Sequence, residues 1–190
     1  MELNVERSAA YDASMSTPRQ PAPSPSSPTR PQAATIVMEA SNDPGWGMFV
    51  WLLLTVGARR GELCALRWDD VDFETGVLTV RQRRIELDAQ TITLLRAYLG
   101  HCAAQAAMLG IERRPDAYVF SPAPDGGTAP EPAMATERYA RMCANLGWNM
   151  HLDRLPHYSA TELIAAGVDV RTFNWRLQRG LSRIQRRPRA

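Results

Sequence analysis

The chain has 190 residues, with 22 basic against 20 acidic side chains and a formal net charge of +2. That length holds one domain with an appended tail, and a hydrophobic content of 45% is enough for a core. The charge is too small to announce a nucleic-acid binder, and the longest apolar run, Met48 to Val56, falls far short of the roughly 18–20 residues of a membrane span.

Residues 1–16 lack a strong period, and residues 17–32 are dominated by proline and serine. Such a stretch buries too little apolar surface to offset its ordering entropy, so residues 1–33 are expected to be a disordered tail with folded structure from near Ala33. Helices are expected over Ala34–Ala40 and Gly47–Val56, separated by the turn-forming Ser41-Asn42-Asp43-Pro44-Gly45, and a short one over Arg60–Arg67 after the Gly57 break. Val77–Val80 and Arg84–Leu87 read as strands. Asp88 is a natural N-cap for a long helix to about Leu109, since its carboxylate can accept the free amide protons of the first turn. Tyr118-Val119-Phe120 precedes a Pro/Gly-rich loop over 121–132, and helices are expected over 133–146, 156–166 and 169–178. The expected fold class is α+β and mainly α-helical, with a small, truncated β element.

Cys64, Cys102 and Cys143 are scattered and form no C-x-x-C pair, which implies buried thiols rather than a disulfide framework or a zinc site. No cofactor or metal is implied. The N-terminus is polar and lacks a signal pattern, so a cytoplasmic protein is expected.

The most informative segment is Thr55-Val56-Gly57-Ala58-Arg59-Arg60-Gly61-Glu62-Leu63, followed by Leu66-Arg67-Trp68-Asp69-Asp70-Val71-Asp72. Leu63, Leu66, Trp68 and Val71 have the spacing of core residues. Taken alone, an arginine at a helix start can simply pair with a nearby carboxylate, and Glu62 in a first turn complements the helix dipole. The longer string, an apolar helix, then T-x-G-x-R-x-G-E-L, then a turn and strand, resembles the first active-site motif of the tyrosine recombinases of the phage-integrase family. That resemblance assigns Arg59 to the grip on the scissile phosphate, a task suited to a planar, permanently charged guanidinium that forks onto two oxygens.

The same resemblance implies a β-hairpin carrying a lysine that protonates the leaving 5′ oxygen. Here Val80 runs almost at once into Arg81-Gln82-Arg83-Arg84-Ile85-Glu86-Leu87, as though the middle of the hairpin had been removed, and the chain has no lysine at all. Arginine is a poor replacement, because its pKa is too high for proton donation near neutral pH. Arg81, Arg83 and Arg84 are candidates for DNA contact, and a solvated strand edge is the alternative reading of the same cluster.

Asp153-Arg154-Leu155-Pro156-His157-Tyr158 and the helix after it resemble the family's second box, with His157 matching its closing histidine. Pro156 stands where the family has a second arginine, and Asp153 where it has a first histidine. His151 and Arg154 are each displaced by two positions from the lost pair, which turns them to a different face. Farther on, Arg179 in Leu177-Gln178-Arg179-Gly180 occupies the place of a third histidine, and residues 181–190 form an arginine-rich tail without a tyrosine, as a frameshift or truncation would produce. Tyrosines occur at 11, 98, 118, 139 and 158, and Tyr158 is expected to pack rather than react.

The expected organisation is a disordered tail over 1–33, a degenerate recombinase catalytic domain over 34–180 and an arginine-rich tail over 181–190. The implied function is a remnant of a site-specific tyrosine recombinase, acting in DNA integration and recombination but catalytically inactive. The alternative is a non-catalytic DNA-binding or interaction module that antagonises an intact recombinase. Expected partners are double-stranded DNA and other recombinase protomers, with no membrane and no small-molecule substrate.

Overall fold

The computed structural model describes residues 27–155 and 157–184. Residues 1–26, Pro156 and residues 185–190 lie outside the described residues, and with them fall most of the expected N-terminal tail and the end of the C-terminal one. The described chain forms helices α1 (Arg30–Ala40), α2 (Pro44–Thr55) and α3 (Arg60–Cys64), then a 3-10 turn over Trp68–Asp70. Strands β1 (Val71–Asp72), β2 (Val77–Val80) and β3 (Arg83–Glu86) follow, and then helices α4 (Ala89–Met108), α5 (Pro132–Asn145), α6 (Ala160–Ala165) and α7 (Val170–Ile184). This is a mainly α-helical α+β fold with one small antiparallel sheet.

The centre of the molecule is α2. Every residue from Trp46 to Leu54 is buried, so this helix has no solvent face, the signature of a helix surrounded on all sides. It packs against α1, α3, α4 and α7. Asp43 caps its start, accepting the Trp46 amide at 2.9 Å, and Pro44 sits in the first turn, where its missing N–H costs nothing. Proline thus opens this helix three residues before the expected Gly47.

The same physics corrects the start of the folded region. Helix α1 begins at Arg30, not Ala34, with Pro31 in its first turn and the Gln32 side chain accepting the Thr29 amide at 2.9 Å. Residues 30–33, assigned from composition to a disordered tail, are therefore helical, and Ala33 is fully buried. The α6 helix also departs from expectation, starting at Ala160 rather than 156, because Ser159 and Glu162 form a reciprocal capping box. At the other end α7 continues through Ile184, past the expected stop at 178.

Asp88 caps α4 as its position implies, accepting the Thr91 amide at 2.9 Å. Its second oxygen accepts the Thr91 hydroxyl at 2.7 Å, and that hydroxyl in turn accepts the indole N–H of Trp51 at 2.9 Å. Thr91 and Trp51 are both wholly buried, so this relay satisfies polar atoms that water cannot reach and ties α4 to α2.

In the sheet, β2 lies between β1 and β3, pairing with each antiparallel. β1, two residues long, carries too little pattern to be anticipated from sequence. The β2–β3 hairpin is short yet complete. Val80 pairs with Arg83, so Arg81 and Gln82 alone close it. The register places Leu78, Val80, Arg83 and Ile85 on one face and Thr79 and Arg84 on the other.

Trp51→Phe should destabilise the fold by about 1–3 kcal/mol through a cavity and a lost buried hydrogen bond, and Asp88→Ala by about 0.5–2 kcal/mol through the cap. In urea unfolding the double variant should be non-additive, because both substitutions act on the Thr91 hydroxyl; additivity within a few tenths of a kcal/mol would show the relay to be energetically inert. Acid stability should report Asp43. Burial alone would raise its carboxyl, but the Arg138 guanidinium at 2.8 Å and the Trp46 amide outweigh burial and hold it below the ordinary range. A depressed folded pKa contributes stability that is fully present above the unfolded value of about 3.9 and is lost as pH falls through the folded one. Unfolding midpoints should therefore drop below about pH 4, with a shallower fall in Asp43→Asn.

Candidate nucleic-acid interface

The sequence motifs converge at the end of α2. That helix stops at Gly57, whose φ of 63° is left-handed and favours glycine. The space is equally restrictive, since a Cβ at Gly57 would lie 3.2 Å from Nδ1 of His157. The Tyr158 amide donates to the carbonyl of Leu54 at 2.7 Å, which fixes the second motif against the last turn of α2. Arg59 and His157, singled out about a hundred positions apart in the chain, thus flank one turn.

Around this turn lies an open cleft of about 450 Å³, lined among others by Gly57, Arg59, Arg60, Glu62, Arg81 and Asp153. Arg59 precedes the first turn of α3, and its amide donates to Oε2 of Glu62 at 2.8 Å. Its guanidinium is exposed and has no ion pair or hydrogen bond among the described residues. Arg60 differs. It reaches Thr136 Oγ1 at 2.8 Å and Asp153 Oδ2 at 3.1 Å, joining α3 to α5 and to the 3-10 turn over Leu152–Arg154. Asp153 is therefore matched by a cation from the same cleft.

Glu62 organises the hairpin side. Its side chain is only 7% exposed, and Oε2 also receives Nη2 of Arg83 at 2.9 Å while Oε1 lies 3.9 Å from Nε of Arg81. The carboxylate that caps α3 thereby holds β3 as well. From the sequence Glu62 has only a helix-dipole role; its i, i+3 spacing from Arg59 signals the cap, and nothing local signals the partner 21 residues away.

The arginine cluster does not act as one. Arg81 lines the cleft and Arg83 lies on the same side, bound to Glu62. Arg84 pairs with Thr79 on the opposite face of the hairpin, where its charge helps to hold the Asp72 carboxyl low, after the larger effect of the Thr75 hydroxyl and amide. Arg84 is the member of the cluster that the register sets apart from the cleft. His151 is exposed just before the 3-10 turn, which contributes Leu152 and Asp153 to the cleft. Pro156 lies outside the described residues, as do the side chains of Arg154 and Arg179.

Four of the five tyrosines fall among the described residues, and none lines the cleft. Tyr158 is buried and donates its hydroxyl to the Pro28 carbonyl at 2.6 Å. Burial pushes its phenol up despite the nearby Arg30. Tyr118 lies beneath the Arg67 guanidinium and accepts from it at 2.8 Å. Tyr98 and Tyr139 are in the core, where burial raises both phenols far above their ordinary range. Cys64 and Cys143 are buried free thiols, and Cys102 is half-buried. No helix among the described residues is long and apolar enough to cross a membrane.

Comparison with known proteins gives a consistent picture. A tyrosine recombinase XerC of Xanthomonas axonopodis pv. citri is 28% identical over 175 residues, covering 86% of this chain and 53% of that protein. A putative integrase/recombinase, y4rB, of Sinorhizobium fredii is 44% identical over 66 residues, covering 30% of this chain and 21% of the relative. The chain thus spans about half the length, or less, of these relatives. In structure it resembles the XerA recombinase with a TM-score of 0.58 at 21% identity, over 87% of this chain and 67% of that one, a likeness of fold. The phage integrase family model matches residues 32–177, from the first turn of α1 into α7, and the chain belongs to that family.

Proposed function

We propose that this chain is the catalytic-domain remnant of a site-specific tyrosine recombinase, which holds duplex DNA by its phosphodiester backbone and does not cut it. The domain is read as starting at Arg30, with α1, rather than at residue 34, and the arginine-rich segment beyond it as an added electrostatic contact. Descent from a phage or mobile-element integrase accounts for the retained motifs. The observation that carries the reading is the cleft itself. Arg59 lines it two residues after Gly57, the glycine that lies against His157, and its guanidinium is unengaged among the described residues, while the four tyrosine hydroxyls described are directed elsewhere.

Strand cleavage in this family needs a tyrosine oxygen to attack phosphorus, forming a phosphotyrosyl link as the 5′ oxygen leaves with a proton. Tyr158 is the nearest in sequence to the motif histidine, and its hydroxyl is buried on a backbone carbonyl. The proton donor is missing too, because the hairpin turn offers Arg81 and Gln82, and a guanidinium does not release a proton near neutral pH. With Asp153 and Pro156 in the second box, the chain has also lost two donors to the phosphate oxygens. Loss of a single such donor costs about 10²–10³ in rate elsewhere, and such losses cease to add once the nucleophile is gone.

A duplex carrying a nick beside the cut site of a related recombinase traps covalent intermediates, and this protein should give none. The same duplex should be bound with an affinity that falls steeply with salt, as counterion release requires. A protein–DNA adduct resistant to denaturant would refute the inactive reading, and absence of binding at low salt would refute the DNA-holding one. A cleft suited to a phosphodiester, with none of the described tyrosine hydroxyls directed to it, also favours a competitor's role. An equimolar or greater amount of this chain should slow strand exchange by an intact relative sharing its target, and an unchanged rate would discard that role.

A further inference from the structure

We infer that Arg81 is a second phosphodiester anchor, paired with Arg59 across the cleft and presented by a strained hairpin turn. The inference rests on the reading of this chain as a holder of DNA backbone and specifies which groups do the holding. Arg81 is the one non-glycine residue with positive φ among the described residues, at 54°. Left-handed backbone is costly for an arginine, which has a Cβ and no short polar group to compensate, and the position would suit glycine or asparagine better. Such outliers gather where a side chain must be aimed. Here the turn aims Arg81 into the cleft that Arg59 lines.

The charge distribution agrees. Four guanidiniums, those of Arg59, Arg60, Arg81 and Arg83, share the cleft or its wall with two carboxylates, Glu62 and Asp153. Arg60 is engaged by Asp153 and Thr136, and Arg83 by Glu62 at 2.9 Å. Arg81 is 76% exposed and 3.9 Å from Glu62, at the outer limit of an ion pair, and Arg59 has no partner among the described residues. The positive excess of the cleft therefore resides on Arg59 and Arg81, two forks suited to the non-bridging oxygens of a phosphodiester. Glu62 acts as a positioning residue: its buried carboxylate ties the Arg59 amide to β3 and so sets the spacing between the two anchors.

The test uses the full chain and a short duplex across a salt series. Arg81→Gly removes the guanidinium and relieves the backbone, so its melting temperature should equal or exceed that of the parent. Its log–log salt slope should fall by about 0.9, which corresponds to an affinity loss of about eightfold at about 0.1 M salt. Arg81→Asn, also compatible with this backbone, should behave alike, and Arg84→Ala, on the opposite face, should keep the parental slope. Parental slopes in both Arg81 variants, or an equal loss in Arg84→Ala, would overturn the inference and leave the DNA-holding reading intact. Failure of the parent chain to bind DNA would instead remove that reading.

Discussion

The geometry of the candidate site depends on the burial of α2 from Trp46 to Leu54. A helix with no solvent face cannot rotate or slide without exposing apolar surface on one side and leaving a void on another, each costing about 25 cal/mol per Å² or more. Its last turn is therefore a fixed reference point. Both motif segments are referred to it: Gly57 turns the chain directly into Arg59, and the Leu54 carbonyl accepts the amide of Tyr158 beside His157. The relay from Trp51 through Thr91 to Asp88 fixes α4 to the same helix. Retention of the site's frame thus follows from core packing, independently of whether the chemistry is retained.

Charge in the cleft is arranged on a different principle. Glu62 carries out three tasks with one carboxylate, capping α3, holding Arg83 and facing Arg81, and it can do so because it is nearly buried and so weakly screened. Arg60 and Asp153 form a second, more exposed pair that contributes little stability by itself but occupies one cation. Among the described residues, Arg59 is left without a partner and Arg81 with only a 3.9 Å approach to Glu62. Two forked cations of this kind suit the oxygens of a phosphodiester, and holding such a group is a separate matter from attacking its phosphorus.

Much of the fold was legible locally. The order of helices and strands, the Asp88 cap and the core positions Leu63, Leu66, Trp68 and Val71 all follow from apolar spacing and end signals, and the structure has them. The early starts of α1 and α2 share one cause. Pro31 and Pro44 were read as interruptions, although a first helical turn needs no amide from them, so α1 and α2 start earlier than composition suggested. The late start of α6 was recoverable from the Ser159–Glu162 spacing, whereas the two residues of β1 carry no periodic signal to recover.

By itself the sequence determined the family-like motifs, the identity of Arg59 and His157, the absence of lysine and the presence of Asp153 and Pro156 at motif positions. These are statements about which groups exist, and covalent structure settles them. Tertiary structure decided which groups meet: that Gly57 lies against His157, that Arg83 is taken up by Glu62, and that Arg81 and Arg84, three positions apart, face opposite sides of the hairpin. Such facts depend on strand register and on contacts between distant segments. They are fixed only when burying α2 brings those segments together.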